Sequence, residues 1–442
     1  MFGRDGLSLL RHCTALWLLC QCSSHTLTPG DDAHGGRPAS GGSDAAGAVS
    51  ASGAPDRAGS GGASSSAGRP SGGKGGQAGA PAEAGADHAA GAGTGGVAAP
   101  IFMLGADISS VQEAEDYGAT FVDTDGETKP LLEILKNHGF NYVRLRAFVE
   151  PQALYGYANP NGQEQYRKSD TYCDTAHTLA VAREVKRAGM GFLLDLHYSD
   201  NWADPGKQVI PEAWRGAGSL AELADEVHDY TESVIQTLVD GGARPDMVQI
   251  GNEITPGLLI HVPAADPQAD QWGNMNKLTN AVNGSTASFA NVATLLKAGV
   301  DAEKSVDPTI KTMLHVENTK SFPAVRDWVN QVRSRGVKLD VLGLSCYTTY
   351  QGQPAIWQDT FQQLAENLSD ISFVIAEYNP ERTRANEIMR DLPNGRGLGT
   401  FFWEPTQSGS WGSALFSIVG TQYRANATDF AEFDELKPAL GL

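Results

Sequence analysis

The run Asp246-Met-Val-Gln-Ile-Gly-Asn-Glu-Ile254 decides how the chain folds. Its first half, 247–250, is short, mostly apolar and stopped by a glycine, which reads as a buried strand. The strand leads straight into Gly251-Asn252-Glu253. An acid just past the C-terminal end of a buried parallel strand stands at the mouth of a barrel, on a rigid support. A second unit of this kind follows 124 positions later, Phe373-Val-Ile-Ala-Glu377, again apolar and again closed by glutamate. A glutamate at a strand end is more often an ordinary polar terminus than a reacting group. The pair draws its weight from the pattern around it.

Outward from these two strands the same alternation repeats. Apolar strand segments are expected at 103–108, 141–146, 191–197, 247–252, 311–315, 341–347, 373–377 and 399–403. Amphipathic helical segments fall between them at 128–138, 175–188, 220–239, 289–302, 324–334 and 357–368, the first two stopped by Gly139 and Gly189. Apolar strands alternating with amphipathic helices imply a parallel sheet covered on its outer face. Eight such strands predict an α/β fold of the (β/α)8 TIM-barrel type rather than an open doubly wound sheet. No Gly-x-Gly-x-x-Gly follows the first strand and no Gly-Lys-Ser/Thr phosphate loop occurs, so no nucleotide cofactor is expected.

Composition divides the 442 residues. Residues 23–99 are almost entirely Gly, Ala, Ser, Pro and Asp; they offer too few apolar side chains to offset ordering entropy and are expected to form a disordered linker. Residues 1–22 have a charged start, a short apolar run and then small and polar residues, too short for a membrane span and suited to a secretory signal peptide. Lipidation at Cys20 or Cys22 is the alternative, and would make the linker a membrane tether; either way the protein is expected to be secreted or at the cell surface. Residues 100–442 suffice for one domain, expected to be monomeric. Lys and Arg number 33 against 52 Asp and Glu, a net charge of −19; no basic surface is offered to phosphates, which argues against nucleic acid and leaves a neutral substrate open. Cys173 and Cys346 are expected to be small buried side chains rather than a bridge.

The functional face of a barrel is the C-terminal end of its strands. Those positions carry Asp107, Arg146, His197, Asn252, Glu253, His315, Tyr347, Glu377 and Trp403, a polar and aromatic ring on apolar strands. Two glutamates in such a ring are the raw material of glycosidic bond hydrolysis. The stretches Leu-Gly-Ala-Asp-Ile-Ser-Ser (104–110), Asn-Tyr-Val-Arg-Leu-Arg (141–146) and Leu-Leu-Asp-Leu-His-Tyr-Ser-Asp-Asn-Trp-Ala-Asp-Pro-Gly-Lys-Gln (193–208) extend the pattern. So do Gln-Ile-Gly-Asn-Glu-Ile (249–254), Val-Ile-Ala-Glu-Tyr (374–378) and Phe-Phe-Trp-Glu-Pro (401–405). With these, the chain resembles glycoside hydrolase family 53, the arabinogalactan endo-β-1,4-galactanases of the clan A glycosidases, over nearly all of 102–442.

The resemblance implies a retaining mechanism with Glu253 as general acid/base, Glu377 as nucleophile and carboxyls about 5–5.5 Å apart. It implies a partner that is β-1,4-galactan or pectic arabinogalactan. Arg146 and Tyr347 are expected to hydrogen-bond Glu377 and hold it ionised, Asn252 to take the sugar 2-hydroxyl, and Trp403 to floor the central subsite. Asp107 and His197 complete the expected substrate-binding set. Asp107 and Asp195 suit structural acids equally well, and His197 and His315 suit satisfied core histidines. Trp202, Trp272 and Trp411 fall in loops, where indoles either stack on sugars or pack beneath the loop.

The match frays after the sixth strand. Where the family pattern runs Ser-Tyr-Tyr-Pro-Phe-Trp-His-Gly, this chain has Ser345-Cys-Tyr-Thr-Thr-Tyr-Gln-Gly352, with Tyr350 for tryptophan and Gln351 for histidine. The loop after the fourth strand, 255–263, is altered too. Hydrolysis of another β-linked glycan, mannan or xylan, therefore stands as an alternative, and a non-catalytic glycan-binding barrel as a further one. The segment 378–398 is read as a short loop whose Glu381, Glu387 and Asp391 lack an oxygen-ligand spacing, so no calcium is expected. No His/Cys cluster suggests zinc.

Overall fold

The computed structural model describes residues 102–158, 171–263 and 278–442. The expected leader with Cys20 and Cys22, the expected linker and Trp272 lie outside the described residues. Eight parallel strands form a closed barrel: β1 (Met103–Asp107), β2 (Tyr142–Ala147), β3 (Gly191–Leu196), β4 (Met247–Ile250), β5 (Lys311–Val316), β6 (Val341–Cys346), β7 (Ser372–Tyr378) and β8 (Gly397–Trp403). Each pairs with its sequence neighbours, and β8 closes on β1 with Asp107 opposite Trp403. The fold is the (β/α)8 barrel that the alternation predicts.

Side chains alternate across each strand, and those that face inward change character along the barrel. The lower interior is apolar: Leu193, Met247, Met313, Val341, Val374, Ala376 and Phe401 pack together, all fully buried. Above them the inward residues are Arg144, Asp195, Gln249, His315 and Ser345, each 0% exposed. The strands thus carry a dry plug below and a polar platform beneath the mouth.

The outer ring comprises α1 (Leu131–Asn137), α2 (Thr175–Arg187), α3 (Leu220–Asp240), α4 (Phe289–Val306), α5 (Phe322–Arg333), α6 (Pro354–Asn367), α7 (Arg382–Arg390) and α8 (Ala427–Leu440). Local chemistry explains their bounds. Ser321 caps α5 by accepting from Ala324 N, and Pro323 occupies its first turn, where its missing N–H costs nothing. Val325, Trp328, Val329 and Val332 then return every three or four residues and are buried on the barrel. Ser219 caps α3 in the same way through Glu222 N.

Three elements differ from the sequence reading. The segment read as a loop, 378–398, holds α7, where Ala385, Ile388 and Met389 are buried at helical spacing within a run too short to announce itself. The last helix, α8, closes the ring; its apolar residues Phe430, Phe433, Leu436 and Leu440 are spread between charges. A three-stranded sheet outside the barrel joins Phe416–Val419, Gln422–Ala425 and Thr120–Val122. Cys173 and Cys346 are buried and unpaired with each other.

Candidate active site

The turn after β4 is built for one residue. Gly251 adopts φ +82°, which glycine takes at no steric cost, and a Cβ there would meet Ile254 at 2.8 Å. Glu253 follows at φ +49°. That region costs a side-chain-bearing residue on the order of 1–2 kcal/mol, and such strain collects at functional sites. The result is a half-buried carboxyl facing the barrel axis.

Glu377 reaches the same space by a different device. Leu344 pairs with Ile375, but Ser345 pairs with Glu377, so Ala376 is an extra residue in β7. Val374 and Ala376 already face the interior; strict alternation would send Glu377 outward. The bulge re-aims it inward, beside Ser345. The Ser345 hydroxyl in turn lies 2.6 Å from Glu253 Oε1. The two glutamates therefore lie near the same serine, close enough for the charge of Glu377 to act on Glu253.

Their surroundings are unequal. Glu377 Oε1 is 2.9 Å from Arg144 Nη1, and Tyr347 OH donates to Glu377 Oε2 at 2.9 Å. Burial pushes the Glu377 carboxyl up to about 7, with Arg144 and the Tyr347 hydrogen bond pulling against it. Among the described residues, the largest influences on Glu253 include no cation. Burial and the charges of Glu377 and Glu317 hold it well above the usual carboxylate range. Burial and both glutamates likewise keep Tyr347 a neutral phenol. The guanidinium and the phenol favour the ionised form of Glu377, while burial and the neighbouring carboxylates favour the protonated form of Glu253.

Arg144 is the hub. It is fully buried among Asp107 (Oδ2 3.0 Å), Asp195 (Oδ2 2.8 Å) and Glu377, and also donates to Gln249 Oε1 and Asn252 Oδ1. Burial works against the charge on Asp195, but Arg144 and His197 outweigh it and hold Asp195 low. His197 accepts from Ala203 N at Nδ1, so its Nε2 hydrogen points to Asp195 at 3.0 Å. Asn252 donates one amide hydrogen to Ala203 O and accepts at Oδ1 from Arg144, Gln249 and His315. Its amide has a second hydrogen to offer a ligand.

The contact with Glu377 expected of Arg146 belongs to Arg144. The two arginines stand two positions apart on β2, so both face inward; Arg144 is the deeper and meets Glu377 from below. Arg146, one layer up, pairs with Glu404 at 2.7 Å and lies 4.0 Å under the ring of Trp202. Trp202 stands edge-to-face with Trp403 at 5.8 Å, and together they form an aromatic wall. Asp107 and His197 are 0% and 2% exposed, with their polar atoms taken up by Ser109 and Arg144, and by Asp195 and Ala203, respectively. Tyr350, exposed, meets Tyr347 edge-to-face at 6.3 Å. Gln351 is buried and accepts from Tyr347 N at 3.0 Å, which fixes the loop. Trp411 lies in the loop after β8, beside Gly409.

Arg144, Gln249, Ser345 and Glu404 escaped the sequence reading. Their signals were present: Arg144 and Gln249 share inward parity with Arg146 and Glu253, and Glu404 follows Trp403 in the Phe-Phe-Trp-Glu-Pro run.

A family model for glycosyl hydrolase family 53 matches residues 103–387. An uncharacterized protein of Niallia circulans is 32% identical over 336 residues, 69% of this chain and 83% of that protein. A Neosartorya fischeri protein named "Probable arabinogalactan endo-beta-1,4-galactanase A" is 28% identical over 366 residues, 74% of this chain and 91% of that protein. A solved fungal β-1,4-galactanase superposes with a TM-score of 0.61 at 25% identity, covering 75% of this chain and 99% of its own.

Proposed function

The chain belongs to glycosyl hydrolase family 53, and on that premise we propose that it cleaves β-1,4-galactan of the arabinogalactan type, acting within the polymer and with retention at the anomeric carbon. The observation that carries the mechanism is the inequality of the two carboxyls: Glu377 lies between a guanidinium and a phenol, and Glu253 lies in a buried setting with the acidic Glu377 and Glu317 nearby. Retaining hydrolysis needs that division, one group ionised to attack and one protonated to assist departure.

In the first step the Glu253 proton goes to the glycosidic oxygen as the carbon–oxygen bond breaks. Glu377 forms an ester to the anomeric carbon. In the second, Glu253 takes a proton from water, the oxygen attacks the same carbon, and Glu377 leaves as carboxylate. The free hydrogen on the Asn252 amide is offered to the sugar 2-hydroxyl, a contact that strengthens in the transition state. Trp403 and Trp202 present an apolar wall to a pyranose face. Arg144 and Tyr347 orient Glu377, with Asp107 and Asp195 balancing the arginine; His197 fixes Asp195, and Arg146 supports Trp202.

Product analysis on purified β-1,4-galactan tests substrate, linkage and mode together. The reading predicts short galacto-oligosaccharides and no comparable release from mannan or xylan; inert galactan would retire it. We further assign residues 1–22 as a leader and 23–99 as a linker, so that the catalytic domain works outside the cell. The mature N-terminus, read by mass spectrometry, tests this; an intact Met1 on extracellular protein would contradict it.

A further inference from the structure

A chain of three hydrogen bonds runs from Asn252 through His315 and Ser345 to Glu253, and the chemistry of its members fixes where each hydrogen sits. Arg144 only donates and the Ala203 carbonyl only accepts, so the Asn252 amide is anchored with Oδ1 toward Arg144 (2.8 Å) and Nδ2 toward Ala203 (2.9 Å). His315 Nδ1 faces that same Oδ1 at 2.8 Å and therefore carries a hydrogen. His315 is fully buried, with Arg144, Asp195 and His197 as its charged and titratable neighbours; burial and Arg144 hold it neutral. A neutral imidazole protonated at Nδ1 has a lone pair at Nε2. That lone pair lies 2.9 Å from Ser345 Oγ, so the single serine hydrogen goes to His315. With its hydrogen committed, Ser345 can only accept from its other neighbour, Glu253 Oε1, at 2.6 Å. The hydrogen in that bond belongs to Glu253.

We propose that His315 and Ser345 are positioning residues that keep Glu253 in its acid form, by turning the Ser345 hydroxyl into an acceptor. A serine free to donate would do the reverse and favour the carboxylate. No proton leaves Ser345 or His315: once Glu253 has protonated the leaving oxygen, the Ser345 hydrogen stays directed to the His315 lone pair, so the new carboxylate gains no donor from the serine and is readily reprotonated. The other titratable groups around Glu253 are Glu377 on β7, Tyr347 after β6, Glu317 at the end of β5 and Asp204 after β3, the last paired with Lys207. All remain in the variants below.

The inference rests on Glu253 being the acid/base, and the test separates the two. In full-length protein acting on β-1,4-galactan, the basic limb of kcat/KM against pH reports the essential acid of the free enzyme. Ser345→Ala is expected to move that limb to lower pH by about 1 unit, the scale of one hydrogen bond to an ionisable group. His315→Phe is expected to move it the same way, because the released hydroxyl then donates to the carboxylate. The double variant should move it no further than Ser345→Ala, and the acidic limb should stay in place throughout. A limb that stays or moves to higher pH in Ser345→Ala overturns the inference, as do additive shifts in the double variant. Ser345→Ala removes a single oxygen and carries the test alone should His315→Phe fail to fold. Glu253→Gln, assayed on an aryl glycoside whose leaving group needs no proton, should lack the basic limb. If it keeps that limb, the assignment of Glu253 fails and the inference falls with it.

Discussion

Arg144 and Arg146 share one strand face and one charge, yet their tasks differ by a single layer of the barrel. Arg144 meets Glu377, and Arg146 meets Glu404. Arg144→Gln should therefore move the acidic limb of kcat/KM to higher pH, because Glu377 loses its cation; Arg146→Gln should leave that limb alone. Arg144→Gln should also cost about 3–5 kcal/mol in denaturant unfolding, since it strands buried carboxylates. Tyr347→Phe removes one donor to the ionised form of Glu377, so its acidic limb also moves up, by about 1 unit. An unshifted limb in Tyr347→Phe would show that Glu377 does not set it. That Glu253, Glu377 and Tyr347 stand at the barrel mouth was legible from strand ends, because those residues sit at boundaries that the hydrophobic pattern marks; the roles proposed for them rest on the family resemblance. Arg144, Gln249 and Ser345 lie inside the strands, where a polar residue reads as an interruption. Only the closed barrel shows that such positions converge.

Among the elements, β7 does what no periodicity could forecast. Its bulge at Ala376 adds one residue and turns Glu377 inward; the sequence Phe-Val-Ile-Ala-Glu looks the same with or without it. The strands themselves were legible to within a few residues, since eight apolar runs bounded by turns admit little else. The helices α7 and α8 were not, because their buried residues are few and set among charges. Two changes probe single elements. Ser321→Ala removes the α5 cap and should cost about 1 kcal/mol in urea unfolding with kcat unchanged. Glu303, fully buried on α4, accepts from Thr312 Oγ1 at 2.7 Å, and burial raises its carboxyl from 4.5 to about 7. The native state thus binds that proton more tightly than the unfolded chain. Its contribution to stability is full below the unfolded value, falls as pH rises toward 7 and is lost above that. Glu303→Gln should flatten that window and raise stability at pH 8 by on the order of 3 kcal/mol. An unchanged slope of unfolding free energy against pH would contradict the assignment.

Across the whole barrel, the last helix is tied to the first. His138, just past α1, sits between Asp123 and Asp434, 2.9 Å from each, and packs on Phe430 at 4.4 Å. Phe433 of α8 stacks near Phe140 at 4.7 Å. These contacts seal the seam where β8 meets β1, and His138→Ala should lower global stability by about 2–3 kcal/mol. A chain starting at Pro100 should keep the kcat/KM of the full sequence if residues 23–99 are only a linker. The proposed mechanism turns on one bond, the ester between Glu377 and the anomeric carbon. An activated 2-deoxy-2-fluoro galactobioside slows breakdown of that ester, so mass spectrometry of the digested enzyme can locate it. One glycosyl adduct per chain is expected, on the peptide that contains Glu377. An adduct on any other residue, or turnover with inversion and no adduct, would contradict it.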